Sequence, residues 1–192
     1  MDKDKPPAGN LEAGSSQDNT NPLVASRAEL ERIREKHAQL AEKYKSEGGY
    51  DYVIGFDDDE SPSVVRKGDE LWYIKLDGTE LSKWRYDNAD LFYEGRAVVR
   101  KGTNVWFIKE DGSDLSNQTY DDAHGFRYGL ATVKRDGKWW FIKLDGTNFS
   151  EEQYDQTTGI KEGRVRVWQG DESWYISTKT GKKIPGTEGG KY

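Results

Sequence analysis

In the stretch TYDDAHGF, His124 follows Asp121 and Asp122, and an imidazole beside carboxylates is the grouping in this chain that comes nearest to general acid–base chemistry. Nothing completes it. There is no activated serine arrangement, phosphate-cradling glycine loop or second nearby histidine, so His124 reads as a structural or surface residue. With no cysteine, and with His37 and His124 as the only histidines, thiolate chemistry, disulfides and Cys/His zinc sites are excluded. Two acidic runs, DDDES at 57–61 and EDGSD at 110–114, hold fragments of a calcium loop without its acid spacing or remaining ligands. The first reads as a water-facing loop and the second as a turn. The expectation is a non-enzyme without metal or cofactor.

The other chemistry on offer is aromatic. KWWFIKLDGT at 138–147 concentrates indoles and aliphatics in a chain that is only 33% hydrophobic, and stacking surfaces of this kind serve either a core or a ligand. Deciding between them requires the elements that carry the rings. Tyr52, Tyr86, Tyr120 and Tyr154 are spaced by 34 residues, as are Trp72, Trp106, Trp140 and Trp174. Four ungapped units follow, 52–85, 86–119, 120–153 and 154–187, and periods of this size signal stacked arrays.

Each unit holds a hairpin whose turn is a primed-type dipeptide: Gly68-Asp69, Gly102-Thr103, Asp136-Gly137 or Gly170-Asp171. Pairing outward sets Val99 opposite Trp106 and Ala97 opposite Ile108. The equivalent sets are Ser63, Val65, Trp72 and Ile74; Ala131, Val133, Trp140 and Ile142; and Val165, Val167, Trp174 and Ile176. All are small or apolar, which makes this the core face and places the four repeated tryptophans in a packed ladder. A second turn, at Asp77-Gly78, Asp111-Gly112 and Asp145-Gly146, is expected to return a third strand carrying Leu81, Leu115 and Phe149.

Ahead of the repeats, residues 1–25 are rich in Pro, Gly, Ser, Asn and charge, and read as a disordered tether. From Ser26 a capping-box start, SRAE, leads into Leu30, Ile33, His37, Leu40 and Tyr44 at helical spacing, giving one amphipathic helix over 26–48. Its apolar stripe is expected to cap the open end of the array, with partner binding as the alternative. The fold class is therefore all-β: an array of four three-stranded units, solenoid-like rather than a small propeller, with one N-terminal α-helix and a disordered tail.

The segment GLATVKRDGKWWFIKLDG at 129–146, followed by Gln153-Tyr154-Asp155, resembles the bacterial WG repeat, also called the KWG repeat. The linking part, YDNADLFYEGRAVVRKG at 86–102, is similar to it as well. Two departures stand out: Trp72, Trp106, Trp140 and Trp174 occupy the family's glycine position, and the family's tryptophan survives only as Trp139. The resemblance implies a β-rich scaffold associated with binding, and it supplies no catalytic residue. The aromatic-glycine repeats of cell-wall-binding proteins are similar too, but their units are shorter than this period.

Positions filled alike in every unit serve packing, so aromatics that occur once are spare. These are Trp84, whose equivalents are Gln118 and Glu152; Trp139, whose equivalents are Leu71, Val105 and Ser173; and Trp168, whose equivalents are Arg66, Arg100 and Lys134. By the hairpin register Trp139, Trp168, Phe107 and Phe141 lie opposite the core face, beside Arg66, Arg100 and Lys134. An exposed aromatic and basic face would engage a protein or a glycan by stacking and cation–π contact; packing against the adjacent unit would hide it. A binding or adaptor module is the function expected, with a carbohydrate-binding module or a toxin-neutralising inhibitor as alternatives. The net charge of −6 argues against nucleic acid, and no apolar run is long enough to insert in a membrane. The polar tail suits a linker from a lipidated anchor or a cytosolic terminus; a cell-envelope or exported location is the expectation. Oligomeric state stays open.

Overall fold

Alternating side chains and two-residue turns build four three-stranded antiparallel sheets in the computed structural model, which describes residues 27–55 and 61–189. The expected tether 1–25 and Asp57–Glu60 of the acidic run lie outside the described residues. Helix α1 (Arg27–Gly48) comes first, and the first sheet follows as β1 (Tyr52–Ile54), β2 (Ser63–Lys67) and β3 (Glu70–Ile74). The second holds β4 (Asn88–Ala89), β5 (Arg96–Lys101) and β6 (Asn104–Lys109). The third holds β7 (Asp122–Arg127), β8 (Leu130–Arg135) and β9 (Lys138–Lys143), and the fourth β10 (Gln156–Thr157), β11 (Arg164–Gln169) and β12 (Glu172–Ser177).

The hairpin register is the expected one in every unit. Val99 pairs with Trp106 and Ala97 with Ile108, and the equivalent pairs recur in the other three sheets. The third strand is not the expected one. Residues after the Asp-Gly turn make only isolated bridges, such as Ile74 with Glu80 and Ile108 with Asp114, whereas β1, β4, β7 and β10 precede the hairpin and complete each sheet. Physically, the chain beyond the turn is leaving for the next unit: Tyr86 still exchanges backbone hydrogen bonds with Leu71, while Asp87 already donates to Arg100 of the following sheet.

That Tyr-Asp step also corrects the first unit boundary. Asp87, Asp121 and Asp155 each accept the first amide of their hairpin turn, and in the first sheet Asp51 accepts Gly68 N–H at 2.7 Å. Tyr50, not Tyr52, therefore fills the repeated tyrosine place, and its ring meets Trp72 edge-on at 5.5 Å. Tyr52 pairs with Arg66 where Asn88 pairs with Arg100, so the first unit carries two additional residues before β2.

Both faces of a sheet are packed. Val64 and Tyr73 of the first sheet bury against Ala97, Val99 and Ile108 of the second. Val98 and Phe107 repeat this against Ala131, Val133 and Ile142, and Phe141 against Val165, Val167 and Ile176. A tyrosine bridges each junction. Tyr120, for example, meets Phe107 behind it and Trp140 ahead of it at 6.1 and 5.9 Å, near-perpendicular pairs that add about 0.5–1.5 kcal/mol each beyond burial. Desolvation lifts the phenols of Tyr86 and Tyr120 above their ordinary range, keeping the bridge neutral.

The helix ends this series as a cap. Leu40, Ala41 and Tyr44 lie on the core face of the first sheet, against Val53, Val65, Trp72 and Ile74, and His37 is buried. Tyr44 lies on the Gly78 turn and donates to Leu76 O at 3.1 Å, which is the place Leu81 takes on the Gly112 turn and Leu115 on the Gly146 turn. At the other end Gly189 pairs with Ser173 where a tyrosine pairs elsewhere, and the Arg166 guanidinium occupies the space of the missing ring.

Asp77, Asp111 and Asp145 each accept both the backbone amide and the hydroxyl of the residue two places on, which holds their carboxyls below the usual range. Asp87 and Asp155 are lowered by turn amides and lysines. Depressed folded-state values add stability that is complete above the unfolded carboxylate range, near pH 4, and is lost as pH falls through the folded values. Asp90, raised by desolvation, works the other way, but is outnumbered. The melting temperature is therefore expected to decline steadily on acidification below about pH 4; a flat calorimetric profile down to pH 2 would contradict this.

Candidate functional site

Among the spare indoles, Trp84 faces water. It sits on the link from the first sheet to the second, its amide fixed by Ser82 Oγ at 3.3 Å as that of Gln118 is by Ser116 Oγ, and it is 56% exposed. Its ring stands 6.3 Å from Trp106 at 71°. Trp106 is held from behind by Tyr86 at 5.7 Å and through its indole N–H, which donates to Asp114 at 2.9 Å. Together the two indoles wall a groove of about 290 Å³ whose remaining lining is Lys101, Asn104, Asp114 and residues 116–119.

The groove exists because the repeated tryptophans are not fully enclosed. Trp72 is buried, and Trp106, Trp140 and Trp174 pack against the core clusters as the expected ladder does, yet remain half-buried at the outer edge of their sheets. Beside Trp106 of the second unit, Trp84 from the preceding link turns this rim into a two-walled site. The polar lining is held in place too: Gln118 accepts from Arg135 at 3.1 Å, and Lys101 pairs with Asp87 at 2.9 Å.

The other expected residues do not join into one open face. Phe107 and Phe141 are 2% and 0% exposed, and Trp168 is buried under Arg166. For Phe107 and Phe141 the reason is the serial stacking, which uses the face opposite the core hairpin set as the next unit's floor; Trp168 lies on the last sheet and is covered by Arg166 of its own strand. Trp139 is half-buried, stacked on His124 at 5.2 Å with Lys134 5.5 Å from its centroid. Arg100 pairs with Asp122 at 3.2 Å, and Arg66 lies over exposed Tyr52. Each cation thus serves a ring or an acid of its own neighbourhood.

The imidazole and carboxylates are likewise engaged. His124 Nδ1 shares a 2.8 Å hydrogen bond with Thr132, Asp121 takes the Asp136 amide, and Asp122 holds Arg100. EDGSD is a turn closed by Asp111. Among the described residues no cluster of three or more acids or histidines is placed to hold a metal, and no helix is long and apolar enough to cross a membrane.

Sequence reasoning passed over a second patch. Tyr93 and Tyr128 are 43% and 57% exposed, with Arg127 lying 5.0 Å from the Tyr93 centroid and Glu94 accepting the Gly129 amide at 2.8 Å. The signal available was that Tyr93 and Tyr128 lie within two residues of the glycine turns at Gly95 and Gly129 of neighbouring units.

Comparison with known proteins adds the following. No curated protein matches the chain. Among solved structures, Kluyveromyces lactis Hsv2 is 12% identical with a TM-score of 0.45, the match covering 68% of this chain and 48% of that one. The N-terminal domain of Nup159 is 12% identical over 68% of this chain and 41% of that one, with a TM-score of 0.43. A protein of unknown function from Bacteroides caccae is 12% identical with a TM-score of 0.34, over 68% and 57% of the respective chains. The chain thus spans about half the length of the Hsv2 structure it matches. The family model of the WG containing repeat matches residues 73–106 and 119–139, which lie within the first three of the stacked sheets described above and the links between them.

Proposed function

We propose that this chain is a non-enzymatic binding module whose stacked sheets hold the Trp84–Trp106 groove rigid for a macromolecular ligand. The observation that carries the reading is the exposure of Trp84. Glutamine and glutamate fill its place in the next two units, so the architecture does not need an indole there, and an exposed large ring against a second indole is the composition of a binding hot spot. The groove sits on a packed scaffold, so little ordering cost is added on binding.

The test is to pan the immobilised chain against a glycan array and a peptide display library, with Trp84→Ala as the counter-probe. Binders are expected to lose about tenfold or more in affinity to the variant, the loss typical of a truncated hot-spot ring. Binders that all ignore the substitution would remove the groove as the site. A second reading, a protein partner docked on Tyr93, Arg127 and Tyr128, is favoured by the enrichment of exposed Tyr and Arg in protein interfaces. Binders sensitive to Tyr128→Ala and not to Trp84→Ala would select it. An envelope or exported location fits either reading.

A further inference from the structure

The geometry points to a neutral saccharide chain as the ligand of the Trp84–Trp106 groove, an inference that rests on the groove being the binding site. Four observations converge on that class. The Trp84 ring offers its surface to solvent with Trp106 edge-on beside it, forming a corner in which the C–H face of a pyranose can lie against one indole. Apart from Lys101 and Asp114, the rest of the wall is amide and hydroxyl: Asn104, Asn117, Gln118, Ser116 and Thr119. Such groups both donate and accept, which matches sugar hydroxyls that do the same.

Charge argues the same way. The groove's two ionic groups are of opposite sign and already engaged, Lys101 by Asp87 and Asp114 by the Trp106 indole. An anionic ligand would find no free cation in it. A peptide entering as an added strand is also disfavoured, because the outer edge of β6 is taken: Val105 exchanges both backbone hydrogen bonds with Tyr120, and Phe107 O accepts Leu115 N–H. Recognition must come from rings and side-chain amides.

The fourth unit shows what the scaffold alone provides at that place. Its cavity of about 420 Å³ beside Trp174 is lined by Glu172, Lys183 and Glu188, and the residue equivalent to Trp84 is Glu152. A rim tryptophan is thus common to the second, third and fourth units, whereas the paired indole with neutral amides is particular to the second.

The experiment is native gel electrophoresis of the full chain through gels containing laminarin, xylan, hydroxyethylcellulose or glycol chitin, with heparin as the anionic comparison. At least one neutral polysaccharide is expected to retard the chain and heparin is not. Trp84→Ala should weaken the retarding interaction at least tenfold, Asn117→Ala with Gln118→Ala several-fold, and Trp84→Phe should restore part of it. Retardation by none of the four, or retardation indifferent to Trp84, overturns the inference. Failure here alongside a display-library peptide that needs Trp84 would sink the saccharide class and leave the groove as the site; failure of both would sink the groove reading itself.

Discussion

Phe141→Ala is expected to destabilise the chain by about 3–5 kcal/mol, the usual cost of deleting a fully buried aromatic ring. The ring is 0% exposed, lies on the side of its sheet opposite Ala131 and Val133, and joins Val165, Val167 and Ile176 of the following unit across the junction. It also meets Tyr154 at 5.9 Å, so the cavity would open between two sheets rather than within one. Because such arrays are held by nearest-neighbour interfaces, the fourth unit should come away first. Urea unfolding followed by Trp fluorescence and far-UV circular dichroism should show a lower midpoint and a broader transition. A loss below about 1 kcal/mol would mean that this face is open to water, as surface substitutions rarely cost more.

The second large effect is at a turn. Gly112 has φ of 82°, and a Cβ there would lie 3.0 Å from the backbone oxygen of Leu81 in the preceding unit. Gly112→Ala therefore combines left-handed strain, about 1–2 kcal/mol, with a displacement of the unit junction, for a total of about 2–4 kcal/mol. Gly137 supplies the comparison, since its φ is 78° but a Cβ there meets nothing within 4 Å. Gly137→Ala should cost only the strain. Equal midpoint shifts in urea for the two variants would show that the Gly112 turn does not carry the contact between units.

These two sites mark where sequence reasoning succeeds and where it stops. The hairpin registers were legible because turn dipeptides and alternating small or apolar residues leave one pairing that keeps each face consistent. The strands β1, β4 and β10, of two or three residues, carry no period to detect, and the six residues of β7, Asp-Ala-His-Gly-Phe-Arg, do not alternate, so the third strand of each sheet was not legible. Tyr52 lies at an ungapped 34-residue spacing from Tyr86, which concealed the additional residues and hid Tyr50 as the true equivalent. The open-face expectation for Phe107, Phe141 and Trp168 treated each sheet as one-sided. Yet Val105-Trp106-Phe107-Ile108 and Trp139-Trp140-Phe141-Ile142 are continuous apolar runs, the mark of strands covered on both faces. Trp84 was legible as a spare ring because it stands alone on a link; its pairing with Trp106 was not, since nothing local shows which side of a rim tryptophan stays open.

Burial of Trp168 on the face opposite the hairpin core set, with Trp84 left as the exposed spare indole, can be read by iodide quenching of tryptophan fluorescence. The intact chain would be compared with Trp84→Phe and Trp168→Phe variants. The account predicts that Trp84→Phe loses a readily quenched component and that Trp168→Phe keeps it. Loss of that component in Trp168→Phe, with Trp84→Phe unchanged, would mean that this face of the fourth sheet is open and the groove is closed, against the packing seen at both places.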